Sequence, residues 1–297
     1  MSDYYGRLAN CALHGIDFTT VTKKDGKVWN VRNLIRLNAS GFEIELHQNP
    51  DLPANLGDLR GQSIDTTGLF VRNVTQDQVE TVREVIDKVC DLLSFATESR
   101  VLPYFWEYPA GSGLSCQYSM TGTVQLWRYP FAEPEHAKHF VDSCYNRFVQ
   151  LRDIRKLHVV IDYIYHSVMG GIAAEIKIAL ACVTFENLRH NWALDSGYPF
   201  IDGWFREKGP AAAAPGNSVG IRRHWTEMFA EVGMNADVQR IFETRNEVIH
   251  TGLYGNVHND DTLDYLHSSL REYFLRLVGY HGPFIPYVGG SPVPKVI

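Results

Sequence analysis

The stretch DVQRIFETRNEVIHTG, residues 237–252, decides how the second half of the chain is read. Its spacing predicts a helix from Asp237 to about His250, closed by Gly252. At about 100° per residue, Val238, Ile241, Phe242, Val248 and Ile249 fall within one arc roughly 120° wide, and Arg245 lies near its middle. A cation in a core-facing stripe costs several kcal/mol unless an anion or a hydrogen-bond network meets it. Either another part of the sequence supplies that anion, or a function explains the arginine.

The best candidate anion is Glu186, in the most apolar stretch of the chain, IAAEIKIALACVTFENL (172–188). Residues Ile172 to Trp192 are expected to form a helix, with Glu186 close to the face shared by Ala179, Cys182 and Val183. An Arg245–Glu186 pair would satisfy both charges and pin two helices. It would not silence the arginine, because an anion behind a guanidinium also orients it.

Around this pair the chain reads as helical from Glu135 onward. Residues 134–168 form one long helix or two broken ones, and Gly170-Gly171 interrupts before the Ile172 helix. Residues 195–220 are expected as a loop, aromatic at Tyr198, Phe200, Trp204 and Phe205 and then rich in Pro, Gly and Ala. A short helix around Trp225 to Val232 precedes the motif helix, and Asp261 to Val278 makes the last amphipathic one.

The front of the chain differs. TTVTKKDGKVWNV carries Asp25-Gly26 between two strand-like segments, and GFEIELH alternates with Phe42, Ile44 and Leu46 on one face. Thr75 and Gln78 suggest a capping box for a helix at about 75–99, whose Val79, Val82, Ile86, Val89, Leu93 and Ala96 recur at three and four. Residues 101–130 read as short strands or an irregular aromatic connector. The expected class is α+β: a small β-rich N-terminal part over 1–132, a helical domain over 133–280 and a Pro/Gly-rich extended tail over 281–297. The boundary falls near 133, with a position near 73 as the alternative.

Bulk numbers narrow the function classes. The 297 residues suit two domains or one large one, and the net charge of −6 provides no global field to draw the chain onto nucleic acid. Five widely spaced cysteines without a CxxC pair read as reduced, buried thiols of a cytoplasmic protein. The N-terminal MSDYYGRLAN lacks the features of a secretory signal, and no apolar run reaches the length of a membrane span. No GxxxxGK[ST], GxGxxG or GxSxG pattern supports ATP, dinucleotide or serine-hydrolase chemistry.

Arg245-Asn246-x-x-x-His250 resembles the R-x(4–6)-H signature of the HEPN superfamily, including the polar residue often found directly after the arginine. The resemblance covers roughly residues 135–280. The β-rich front joined to such a region is similar to the ApeA-like HEPN proteins of bacteria. The resemblance implies a HEPN-like bundle that cleaves RNA without a metal or other cofactor, or that only binds RNA or a nucleotide. It further implies a composite cleft in a homodimer, a defence or toxin-like role, and a trigger or antitoxin partner. Some HEPN toxins carry a tyrosine two residues after the motif histidine. Here that position is Gly252, and Tyr254 stands four residues on, a departure from the pattern.

The residue types suit that chemistry. RNA carries its own nucleophile, the 2′-OH, so the protein needs proton carriers and a phosphate-stabilising cation. Histidine titrates near neutrality and serves as acid or base; arginine stays charged and meets phosphate oxygens in a fork. Arg245 is thus the expected phosphate ligand, His250 the proton carrier, and Asn246 an orienting group. Arg245 and His250 lie about 140° apart on a regular helix. They meet one phosphate only if the helix ends or bends at His250, or if two chains build the site. The alternative function is a non-catalytic binding or sensor module in which Arg245 is a structural ion-pair residue.

Other clusters carry blander readings. His136 and His139 share a helix face without a third metal ligand. Arg222-Arg223-His224 and the group Arg152, Arg155, Lys156 and His158 are phosphate-tracking patches or, more commonly, solvated faces.

Overall fold

The structure, a computed structural model, describes residues 1–22, 26–125, 130–209, 218–251, 259–288 and 291–297. The chain is mixed α and β, with a seven-stranded antiparallel sheet and, among the described residues, seven α-helices. It divides into two compact units: Met1–Asn146 with Gly282–Ile285 and Val296, and Arg147–His281 with Pro286–Lys295 and Ile297.

In the first unit β1 (Ser2–Ala9), β2 (Asp17–Thr22), β3 (Val28–Ala39), β4 (Phe42–Gln48), β5 (Asp65–Val74), β6 (Leu102–Glu107) and β7 (Ser115–Gln117) lie in the order β2-β3-β4-β5-β1-β6-β7. The alternation read in GFEIELH appears as buried Ile44 and Leu46, and in the neighbouring strands as Leu69, Val71, Tyr4 and Leu8. The two-residue turn between β3 and β4 is Ser40-Gly41, both at positive φ (53° and 82°), the twist that suits a tight hairpin. Of the expected Asp25-Gly26 turn, Asp25 lies outside the described residues, but the strands it was to join, β2 and β3, do pair.

The N-terminal part is not small. The region 101–130, whose character the sequence left open, contributes β6 and β7, and β6 pairs with β1 some hundred residues earlier. Asn10 shows how that long-range closure is held. It is fully buried at φ 62°; its Oδ1 accepts from the Ile64 amide (3.1 Å) and its Nδ2 donates to the carbonyls of Arg100 (3.0 Å) and Thr121 (3.3 Å). Asn10→Ala leaves the Ile64 amide without its acceptor and replaces a residue that tolerates positive φ by one that does not. The expected cost is about 3 kcal/mol, read as a lower urea midpoint at unchanged slope.

The helix α1 (Val79–Thr97) begins behind a short 3₁₀ turn, with the Thr75 amide donating to Gln78 Oε1 (3.0 Å) as the capping box requires. All six positions read as its apolar face are buried. Of the two readings of 134–168, the broken one holds: α2 (Pro134–Arg152) and α3 (Leu157–Val168) are separated where Lys156 turns left-handed at φ 53°. The division between the units falls inside α2, whereas the sequence boundary stands at its head.

The second unit centres on α4 (Ala174–Asp195), which contacts α3, α5 (Ile221–Glu231), α6 (Val238–Thr251) and α7 (Asn259–Leu277). A helix apolar on most sides needs neighbours on most sides. Phe185 on α4 meets Trp225 and Phe229 of α5 edge-on, and the Trp225 indole donates to the Phe185 carbonyl (3.3 Å). The stretch expected as loop also holds a hairpin, β8 (Phe200–Ile201) and β9 (Trp204–Phe205), turning through Asp202-Gly203. Residues 210–217 of that stretch lie outside the described residues. The tail forms short strand pairs, including Tyr287–Val288 with Ser291–Pro292. No helix of the described residues is long and apolar enough to cross a membrane.

Candidate functional site

The helix α6 starts where the sequence places it, with the Arg240 amide donating to Asp237 Oδ1 (3.0 Å) as an N-cap. Its buried positions are Ile241, Thr244 and Val248, one turn apart. The wheel drawn from apolar residues alone is therefore rotated: Ile249 is exposed, Phe242 and Val238 are half-buried, and Arg245 stands at the edge of the buried face. The helix packs on α4 and α5, and the small Thr244 is buried on the face it turns inward.

Glu186 is the partner of Arg245. Its Oε1 accepts from Arg245 Nε at 3.0 Å, and its Oε2 accepts from Arg189 Nε (3.0 Å) and Nη2 (2.8 Å). Arg245 Nη1 donates to Asn246 Oδ1 at 2.9 Å. Neither partner is deep: the side chains of Arg245 and Glu186 keep 20% and 22% of their exposure, so the pair is not sealed from solvent. The geometry is that of a cation held from behind by a carboxylate and from the side by an amide.

His250 is exposed on the same helix, which runs on regularly through Thr251. The two motif groups thus stay about 140° apart about the axis, and the bend at His250 that would bring them together within one chain does not occur. Gly252 and Tyr254 lie outside the described residues. The cluster Arg222-Arg223-His224 divides three ways. Arg222 is exposed, Arg223 is paired with Glu207 and Glu227, and His224 is fully buried. The second basic group divides too, since Arg155 is buried in an ion triad.

Two histidines lie near the pair: His190, which sequence patterning did not single out, and His224, which it placed in a basic patch. His190, one turn beyond Glu186 on α4, stacks edge-on against Phe200 (5.1 Å) and Phe205 (5.2 Å), and burial together with Arg189 lowers its pKa. His224 sits among Tyr198, Trp192 and Phe205, with Nδ1 3.4 Å from Arg189 Nη1. Arginine has only donors, so His224 accepts there and carries its proton on Nε2. Burial, then Arg189, brings its pKa down to about 4. His190 follows Arg189 on α4, whereas only the packing of α5 on α4 brings His224 to Arg189, which the linear pattern could not show.

A pH dependence follows. The folded chain keeps His224 neutral, whereas the unfolded chain takes up a proton below about pH 6.5. This residue's contribution to stability is therefore fully present above pH 6.5 and is lost as pH falls towards 4. Urea midpoints taken between pH 7.5 and 4.5 should decline, and His224→Phe should remove part of that decline.

Cys11, Cys90, Cys144 and Cys182 are free and buried, while Cys116 is half-exposed, an exception to the expected buried set. Burial raises the thiol pKa of Cys182, beside the motif pair, to about 12, so it stays protonated. Among the described residues no group of three or more His, Cys, Asp or Glu is placed to hold a metal ion. A groove of about 560 Å³ lies on the sheet of the first unit among Tyr5, Arg7, His47, Asp65, Gly68 and Phe70, and none of the motif residues lines it. Comparison with protein-family models, curated proteins and solved structures finds no match for this chain.

Proposed function

We propose that the helical unit is a HEPN-like bundle that cleaves RNA without a metal, acting as a cytoplasmic homodimer in a bacterial defence or toxin-like role. The observation that carries the reading is the Glu186–Arg245–Asn246 chain at the surface of α6: a guanidinium fixed on Nε and Nη1 and not sealed from solvent. In this reading Arg245 holds the scissile phosphate, Asn246 sets the fork, and His250 moves the proton. The 2′-OH attacks the phosphorus, the 5′-oxygen leaves with a proton, and the products are a 2′,3′-cyclic phosphate and a 5′-OH.

A second copy supplies what one helix does not, a second proton carrier facing the same phosphate. Support comes from Ile176, Val183 and Leu194, exposed along one stripe of α4, and from exposed Ile249 on α6. They flank the motif pair and would be covered by a partner subunit. The first unit is assigned the sensing of a trigger or the contact with an antitoxin.

The ion pair itself favours a second reading, in which Arg245 only pins α6 to α4 in a non-catalytic RNA-binding or sensor module. Incubating RNA with the protein in chelator separates the two. Cleavage that is lost in both His250→Ala and Arg245→Ala supports the nuclease. Absence of cleavage, with Arg245→Ala lowering only stability, supports the structural role.

A further inference from the structure

We infer that Arg222 forms a second phosphate-binding position beside Arg245, so that α6 engages two successive phosphates of an oligonucleotide strand where a mononucleotide engages only Arg245. The inference rests on the RNA reading above and adds the size and path of the ligand.

Several arginines of this unit are held by carboxylates. Arg189 and Arg245 share Glu186, Arg223 has Glu207 and Glu227, Arg155 has Asp195 and Glu231, and Arg276 has Glu272. Arg222 is held differently, as is Arg240 over the Tyr265 ring, but Arg240 lies about 160° round α6 from Phe242 and so away from the motif strip. The Arg222 guanidinium carbon lies 4.9 Å from the centroid of the Phe242 ring, and Nη1 donates to Gln239 Oε1 at 2.9 Å. A ring face and an amide oxygen orient the fork without cancelling its charge. Glu243 reaches it only through Gln239, whose Nε2 donates to that carboxylate.

Position supplies the rest. Phe242 precedes Arg245 by three residues and Asn246 by four, one turn of α6. On the wheel Gln239, Phe242, Asn246 and His250 span an arc of roughly 80°. Arg245 leans into the same strip by donating to Asn246. At about 1.5 Å per residue, successive positions at Phe242, Asn246 and His250 are about 6 Å apart. The strip thus presents a stacked guanidinium, then the Arg245–Asn246 pair, then an imidazole. That order suits a strand laid along the helix with successive phosphates on the two arginines and the second phosphate nearest His250. A mononucleotide has only one phosphate to offer.

The test is binding, independent of turnover. The probes are a 2′-O-methyl oligouridylate of about twelve nucleotides, which lacks the nucleophile, and uridine monophosphate. The wild-type protein is expected to bind the oligomer with a salt-dependent affinity. In Arg222→Ala the slope of log K against log salt should fall by about 0.7, the loss of one single-strand phosphate contact. Arg222→Lys should keep the slope. Arg223→Ala, which removes a cation already paired, should leave it unchanged. Monophosphate binding should survive Arg222→Ala and be lost in Arg245→Ala. An unchanged slope in Arg222→Ala, or equal weakening of monophosphate and oligomer, overturns the second position while leaving the RNA reading intact. A wild-type protein that binds neither probe overturns both.

Discussion

His250→Ala is expected to reduce chelator-resistant RNA cleavage by about 10²- to 10⁴-fold, the span that a positioned proton carrier supplies. The side chain is exposed at the solvent side of α6, so its removal should leave the urea midpoint of the chain within about 0.5 kcal/mol of wild type. That separation makes the variant informative. Arg245→Ala should lower cleavage by a comparable factor, about 10²- to 10³-fold, as loss of a preorganised charge at the phosphorane does. It should also cost some stability, because Glu186 keeps Arg189 but loses its second guanidinium. Cleavage that persists in His250→Ala would remove the imidazole from the mechanism, whatever Arg245→Ala does.

The largest effect on stability is expected at Arg155. This side chain retains only 5% of its exposure and lies in the turn between α2 and α3. Its Nε donates to Asp195 Oδ2 at 2.6 Å, at the end of α4, and its Nη2 to Glu231 Oε1 at 3.1 Å, at the end of α5. Glu231 also accepts from the Trp192 indole. One buried cation therefore ties three segments of the helical unit. Breaking a buried pair from one side costs about 3–5 kcal/mol. Here the two carboxylates are about one-third exposed and can regain water, so Arg155→Ala should cost about 3 kcal/mol. The corresponding fall in melting temperature is roughly 6–12 °C. Arg155→Lys should recover little of it, since a single ammonium does not reproduce a fork that meets two separate acids. A midpoint shift below about 1 kcal/mol in Arg155→Ala would show that the triad is not a principal tie.

Much of the arrangement around Arg245 was legible in the sequence because it is an anomaly in an otherwise apolar pattern. Glu186 breaks the most apolar helix, Arg245 interrupts the apolar arc of another, and two such breaks are cheapest when they meet. The face of α1 was legible for a related reason: nineteen residues of regular apolar recurrence leave no competing period. Four features were not legible. β6 and β7 join the sheet through a pairing with β1 that no local window contains. The rotation of α6 depends on where α4 lies, so Ile249 was assigned inward and is exposed. The contact of Arg189 with His224 joins two helices that only packing brings together. The hairpin Phe200–Phe205 was hidden by its surroundings of Pro, Gly and Ala, although Asp202-Gly203 is the turn signal that points to it.

The most direct test of the account is the chemistry of the ends left on RNA by the purified wild-type protein in excess chelator. Mass spectrometry of the fragments should find 2′,3′-cyclic phosphates facing 5′-hydroxyls, the pair that only attack by the neighbouring 2′-OH leaves. Intact RNA, or fragments with 3′-hydroxyl and 5′-phosphate ends that appear only when a divalent metal is restored, would contradict it.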